Sequence, residues 1–322
     1  MSCVTTRLES DLGGEGGSKG TSRLVVALGV ALLLCSCLDF TGQVMTYRYD
    51  RAGDTLLIFQ VYEGLHTTGV DEDPPRDLPT AEEKQQLDAV VKGQRTFFFG
   101  NWLTDFDAAR NASKIEEHRA KLADADPAEQ ACLKAWMGLL ERVNASVRVR
   151  NGGFYLDAKG QLCGTQYVVV TGVTPLVSAI HAYAGLKARE FGDKSQLGER
   201  ALRRLRAFTE KGEWVRIDGN QVRIRFACTP EEFRRHRKSL NDEQKLLDLV
   251  TQDMVLNYDE PIAEVILGCL DQEVTTLARP SVRKASGALT AHVRETYGLA
   301  PMPDLEALRA AFLHSGRVPD GK

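Results

Sequence analysis

The chain predicts an α+β fold, with antiparallel hairpins and a β-meander packed against several amphipathic helices. Three observations carry this. Stretches that alternate at period two fall in pairs joined by glycine-containing turns. Other stretches repeat at helical period behind capping residues. The two kinds do not alternate one for one, as a doubly wound parallel sheet would require.

The first pair is Val44–Tyr49 and Thr55–Tyr62, both rich in β-branched and aromatic residues, with Asp50-Arg51-Ala52-Gly53-Asp54 as the turn. Leu65–Pro79, with Pro74-Pro75, reads as a loop. Thr80 and Glu83 form a capping-box pattern that opens a helix to about Val91. Thr96-Phe97-Phe98-Phe99 reads as a short strand ended by Gly100, and Asp105–Leu122 as a polar amphipathic helix. Pro127 suits a first helical turn, and Ala128–Val143 continues at helical period.

The period then changes to two. Ser146–Arg150, Gly153–Asp157 and Leu162–Val170 predict a three-stranded meander, with turns at Asn151-Gly152-Gly153 and at Asp157–Gly160. Thr174-Pro175 opens a helix to about Phe191, and Gly198–Thr209 is another. Trp214–Ile217 and Gln221–Ala227 make a hairpin about Asp218-Gly219-Asn220. Thr229-Pro230 starts a helix that runs, with a break near Ser239–Asp242, to about Leu256. Ile262–Leu267 reads as a strand and Asp304–His314 as the last helix. No internal repeat is found. The internal boundary the pattern offers is Thr171–Pro175.

Composition describes an ordinary globular chain of 322 residues, 43% hydrophobic and 26% charged, with a net charge of −3. That balance gives no bulk attraction to nucleic acid. The charges are segregated: residues 63–129 hold 15 acidic and 8 basic residues, and residues 187–240 hold 15 basic and 8 acidic. Arg200, Arg203, Arg204, Arg206, Arg234, Arg235, Arg237 and Lys238 form two basic runs that suit an anionic envelope surface. The plainer alternative is a set of solvated helix faces. Arg200–Arg206 has no interleaved aromatic, so a nucleic-acid surface is not expected.

No phosphate loop, dinucleotide fingerprint, nucleophile elbow or metalloprotease helix occurs, and no cofactor is implied. Cys132, Cys163, Cys228 and Cys269 have neither CxxC nor zinc-type spacing. Two disulfides in three connectivities remain open. Cys132, on a stripe with Trp136, Leu139 and Val143, and Cys228, on a strand face, read as small core residues.

Four residues are candidates for acid–base chemistry. Asp105 and Asp107, in the cluster Asn101–Asp107, could pair as carboxylates, although a helix N-terminus wants the same residues for capping. His181 lies in the apolar helix Leu176–Ala184, either as a general base or as a hydrogen-bonded structural histidine. His66, beside Gly64 and Gly69, reads as a surface loop residue.

One segment speaks of location. Arg23 precedes the unbroken apolar run Leu24–Leu34, followed by Leu34-Cys35-Ser36-Cys37. The run has the length of a secretory hydrophobic region. Extended through Leu38 it spans about 22 Å as a helix at ~1.5 Å per residue, short of a hydrocarbon core of about 30 Å. A short uncleaved anchor is the alternative to cleavage. Leu34-Cys35-Ser36-Cys37 resembles the bacterial lipobox, with Cys35 at the second place a departure from its pattern.

The resemblance covers residues 20–38 and implies a lipoprotein acylated at Cys37. It divides the chain into a signal over 1–36, a tether over 37–42 and a domain over 43–322. It implies a cell-envelope location, and Leu38 rather than an aspartate next to Cys37 suits the outer membrane. The function expected is a binding, accessory or structural role at the envelope. The alternative is an envelope hydrolase built on the acidic and histidine candidates.

Overall fold

The computed structural model describes residues 38–67, 78–96, 106–194, 209, 214–226, 254–257, 262–267, 273–276 and 287–317. The fold is α+β. Its strands are β1 (Leu38–Asp39), β2 (Gly42–Asp50), β3 (Thr55–Glu63), β4 (His66–Thr67), β5 (Val147–Leu156) and β6 (Leu162–Thr171), followed by β7 (Val215–Asp218), β8 (Gln221–Phe226), β9 (Met254–Asn257), β10 (Ile262–Leu267) and β11 (Glu273–Thr276). Its helices are α1 (Ala81–Val91), α2 (Ala108–Lys121), α3 (Pro127–Ser146), α4 (Val173–Lys194), α5 (Gly287–Thr296) and α6 (Leu305–Ser315). The main sheet is antiparallel in the order β11-β2-β3-β6-β5, and β7-β8-β10-β9 form a second antiparallel sheet.

The main sheet is covered on both faces. On one face Met45, Tyr47, Leu56, Ile58, Val168 and Val170 meet Leu139 of α3 and Leu176 and Ile180 of α4. On the other, Leu57, Phe59, Val61 and Tyr167 meet Phe312 and Leu313 of α6. Val215 and Val222, from β7 and β8, join the first core. A third cluster gathers Leu38, Phe40, Tyr62, Leu65, Phe154 and Leu162 under Leu87 and Val90 of α1 and Leu289 and Val293 of α5.

Helix starts follow the capping rules. The Thr80–Glu83 capping box is complete: Glu83 N donates to Thr80 Oγ1 at 3.1 Å, and Thr80 N to Glu83 Oε2 at 2.7 Å. Asp126 caps α3 ahead of Pro127, and Asp304 caps α6. Helix α4 has a different solution. Gly172, just before it, has no side chain to cap with, so the β2–β3 turn supplies one. The backbone N–H of Thr174 donates to Asp54 Oδ1 at 3.0 Å and its hydroxyl to the same oxygen at 2.9 Å; Val173 N donates to Asp54 O at 3.2 Å. Asp54 holds a left-handed φ of 46° to do this, and Tyr49 Oη donates to the same carboxylate at 2.9 Å.

Three expectations are corrected. Ser146–Arg150 and Gly153–Asp157 are one strand, β5, so the meander is a hairpin. Asn151-Gly152-Gly153 is a β-bulge, not a turn. The bulge shifts parity, so that Val147 and Val149 before it and Phe154 and Leu156 after it all join helix-side clusters. Gly164, opposite Phe154, makes room for the ring: a β-carbon there would lie 3.3 Å from Phe154 Cδ1.

Met254–Asn257, expected as the end of a helix, is a strand paired with β10. Its β-branched and apolar residues gain ladder partners that a helix end would not give. Within the expected tether 37–42, Leu38 and Asp39 pair with Thr67 and His66, and Leu38 and Phe40 are buried. Elements β11 and α5 were not foreseen. The expected strand at 97–99 and the expected helices over 198–208 and 229–253 lie outside the described residues.

Replacing Asp54 with Ala removes the cap of α4 and its link to Tyr49, and is expected to cost about 1–2 kcal/mol. Asp54→Asn, which tolerates positive φ and keeps an acceptor, should lose less. Urea denaturation midpoints of the two variants check the ranking.

Candidate functional site

The sequence candidates with described positions are each engaged in a different structural task. Asp107 caps α2, accepting from Arg110 N at 2.9 Å, and pairs with Arg95 at 3.6 Å. It sits in a short antiparallel base in which Thr96 N donates to Phe106 O at 2.8 Å and Ala108 N to Gln94 O at 2.9 Å. The capping reading of this carboxylate is therefore the one the geometry supports. Asp105 lies outside the described residues.

His181 projects from α4 toward β7, where the backbone N–H of Val215 donates to its Nε2 at 3.1 Å. Its ring lies 6.3 Å from that of Trp214. Accepting that bond requires an unprotonated Nε2, and burial pushes the imidazole below its ordinary pKa. His181 ties a helix to the second sheet as a neutral acceptor.

His66 is not a surface residue. It is buried in β4, and its Nδ1 lies 2.8 Å from Gly64 O, so Nδ1 carries the proton and donates. Nε2 then sits buried without a hydrogen-bond partner. Among the described residues no group of three or more His, Cys, Asp or Glu side chains could hold a metal ion. The basic runs at 200–206 and 234–238, and Cys37 itself, lie outside the described residues.

The polar feature that sequence reasoning missed is inside the sheet. Gln43, Gln60 and Gln166 are each 0% exposed and share the helix-covered face with Met45 and Tyr62. Gln60 pairs with Met45 on one side and with Gln166 on the other. The Tyr62 hydroxyl faces Oε1 of both Gln60 and Gln166, the latter at 2.9 Å. Gln166 Nε2 donates to Arg95 O at 3.1 Å, fixing its amide orientation and binding the Arg95–Asp107 base to the sheet. Burial holds the Tyr62 phenol well above its ordinary pKa, so it stays a neutral donor. A signal was available at Gln60, which interrupts the apolar run Leu56–Tyr62 in a strand that must be buried. Tyr62 joins Gln60 and Gln166, and a buried polar network of this kind favours one strand register.

Two cysteines fall among the described residues. Cys132 and Cys163 are both buried thiols. Burial is the main cause pushing the Cys163 thiol up to about 11, so little thiolate exists at neutral pH. Cys228 and Cys269 lie outside the described residues.

No protein-family model matches the chain, and neither a curated protein nor a solved structure matches it.

Two outcomes test this geometry. Because His181 has a lowered folded pKa, its contribution is full above the unfolded value of about 6.5 and falls as pH drops below it, where the unfolded chain binds the proton more readily. Stability measured from pH 8 to pH 5 should therefore decline more steeply in the wild type than in His181→Gln, which keeps an acceptor but does not titrate. In peptide mapping after iodoacetamide treatment, Cys132 and Cys163 should be modified only once denaturant is added; rapid native labelling of Cys163 contradicts the buried-thiol assignment.

Proposed function

We propose that this protein is a lipid-anchored cell-envelope protein, acylated at Cys37, whose α+β domain serves there as a binding or accessory module. The observation that carries the reading is the cation-led apolar run Leu24–Leu34 ending in Leu34-Cys35-Ser36-Cys37. It is compatible with Leu38, the residue after Cys37, lying in strand β1. Among the described residues no helix is long and apolar enough to cross a membrane. A multiply acylated cysteine would supply attachment, since each buried methylene contributes about 0.8 kcal/mol and stable anchoring takes more than one chain.

The accessory role is favoured over a hydrolase by what the candidates do. Asp107 is held by a helix end and an arginine, His181 by a backbone amide, and His66 by its own turn. A hydrolytic site needs such groups to converge on one reacting atom. The basic runs Arg200–Arg206 and Arg234–Lys238 suit a partner surface of anionic envelope polymer or headgroups.

Metabolic labelling with a clickable fatty acid tests the anchor. The wild type should carry label and Cys37→Ser should carry none. Label persisting in the variant overturns the assignment to Cys37, and no label on either protein overturns the anchor itself.

A further inference from the structure

The structure allows almost no slack between Cys37 and the folded domain. Leu38 pairs with Thr67, Asp39 with His66, and Thr41 N donates to Glu63 O at 2.9 Å. Leu38 and Phe40 are core residues, with the Phe40 ring 5.7 Å from that of Tyr62. A lipid on Cys37 would therefore bring one particular end of the domain against the bilayer.

That end can be identified from the register. The start of β2, the end of β3, the Asp157–Gln161 turn and the start of β6 lie together, because Gly42 pairs with Glu63, Tyr62 with Gly164, and Leu65 N donates to Leu162 O at 2.8 Å. Ala300 joins the same end, paired with Tyr155 and donating to Phe154 O at 2.8 Å.

Two large apolar side chains are exposed there. Met302, two residues beyond Ala300, is 58% exposed and stands between Pro301 and Pro303. The prolines restrict the backbone on both sides, so the methionine is presented rather than free to fold away. Leu78, 71% exposed, leads into α1. The far end of α1 lies against Val149, where a β-carbon on Gly93 would come within 2.2 Å of the Val149 carbonyl oxygen. Leu87 packs lower down, with Phe154 and Leu162. The start of the helix therefore points to the Ala300 end. Leu78 and Met302 are the large apolar side chains exposed among the described residues, and this placement sets both at the end from which Cys37 leads.

We propose that Met302 and Leu78 insert into the lipid leaflet beside the acylated Cys37, seating the domain flush and in one orientation. This rests on the lipid-anchor reading above. Lys159, exposed in the turn, is placed to meet headgroup phosphates, whereas exposed Glu63 opposes them. Insertion of apolar side chains, not surface charge, then holds the seat. The opposite end, with exposed Arg51 and Ala52, is held away by a nine-residue strand, about 30 Å at ~3.4 Å per residue.

The test uses the full chain, expressed and acylated in cells, with benzoylphenylalanine substituted for Met302, Leu78 or Ala52. Each protein is purified, its Cys37 acylation read by mass spectrometry, and reconstituted in vesicles of phosphatidylethanolamine and phosphatidylglycerol. Irradiation should give phospholipid adducts at 302 and 78 and none at 52. Acylated protein with no adducts at 302 and 78, or with equal adducts at all three positions, overturns the seating while leaving the anchor intact. Absence of any acyl group on Cys37 overturns the anchor and the seating together.

Discussion

Strand β3 is buried along nearly its whole length on both faces, and the rest of the fold answers that constraint. Leu56 and Ile58 point one way and Leu57, Phe59 and Val61 the other. Each such side chain contributes about 1.5–3 kcal/mol when removed from water, so neither face can be left open. Helices α3 and α4 close one side and α6 the other. Helix α6 is also latched to β2 by Arg48, whose guanidinium donates to Leu313 O. The tertiary cap from Asp54 belongs to the same logic: the β2–β3 turn that ends the central hairpin also fixes where α4 begins.

Much of this was legible because the signals are local. The capping box at Thr80, Pro127 behind Asp126, and the Asp218–Asn220 turn each state their structure within a few residues. The failures have physical causes. At Asn151-Gly152-Gly153 the glycines looked like a turn, but an extra residue can reset the parity of one continuous strand. Only the partner strand β6, with its unbroken register, reveals that. Met254–Asn257 is strand because β10 offers it a ladder, a non-local interaction that outweighs weak helical patterning. Strand β11 is four residues long and pairs with β2, more than two hundred positions away in sequence, so no local pattern announces it.

The candidate site shows the same division. The capping reading of Asp107 could be made from sequence, because a helix start and its N-cap are neighbours. The row of Gln43, Gln60 and Gln166 could not be assembled, because the three lie on different strands and meet only through register. Their burial without bonds would cost on the order of 1–3 kcal/mol for each group. Bonded through Tyr62 and to the Arg95 carbonyl, Gln60 and Gln166 instead penalise any slip of β3 on β6. A one-residue shift would turn every glutamine toward the α6 face and set apolar side chains in their place.

The fold also bears on what a lipid at Cys37 would do mechanically. Leu38 and Phe40 sit in the core cluster beneath α1 and α5, so they are part of the packing that closes that end of the sheet. Force applied through an anchor at Cys37 would act first on the Leu38–Thr67 pairing, a ribbon of only two residues per strand. Such a ribbon is marginal alone. What resists peeling is the burial of Leu38, Phe40 and Leu65, and that burial depends on α1 and α5 remaining in place. Attachment, the third core cluster and the Tyr297–Asp88 hydrogen bond at 2.7 Å, which joins the end of α5 to α1, would therefore form one mechanical unit. An anchor on a long flexible tether would place no such demand on the core; an anchor next to β1 makes the integrity of this cluster a condition of staying attached in one orientation.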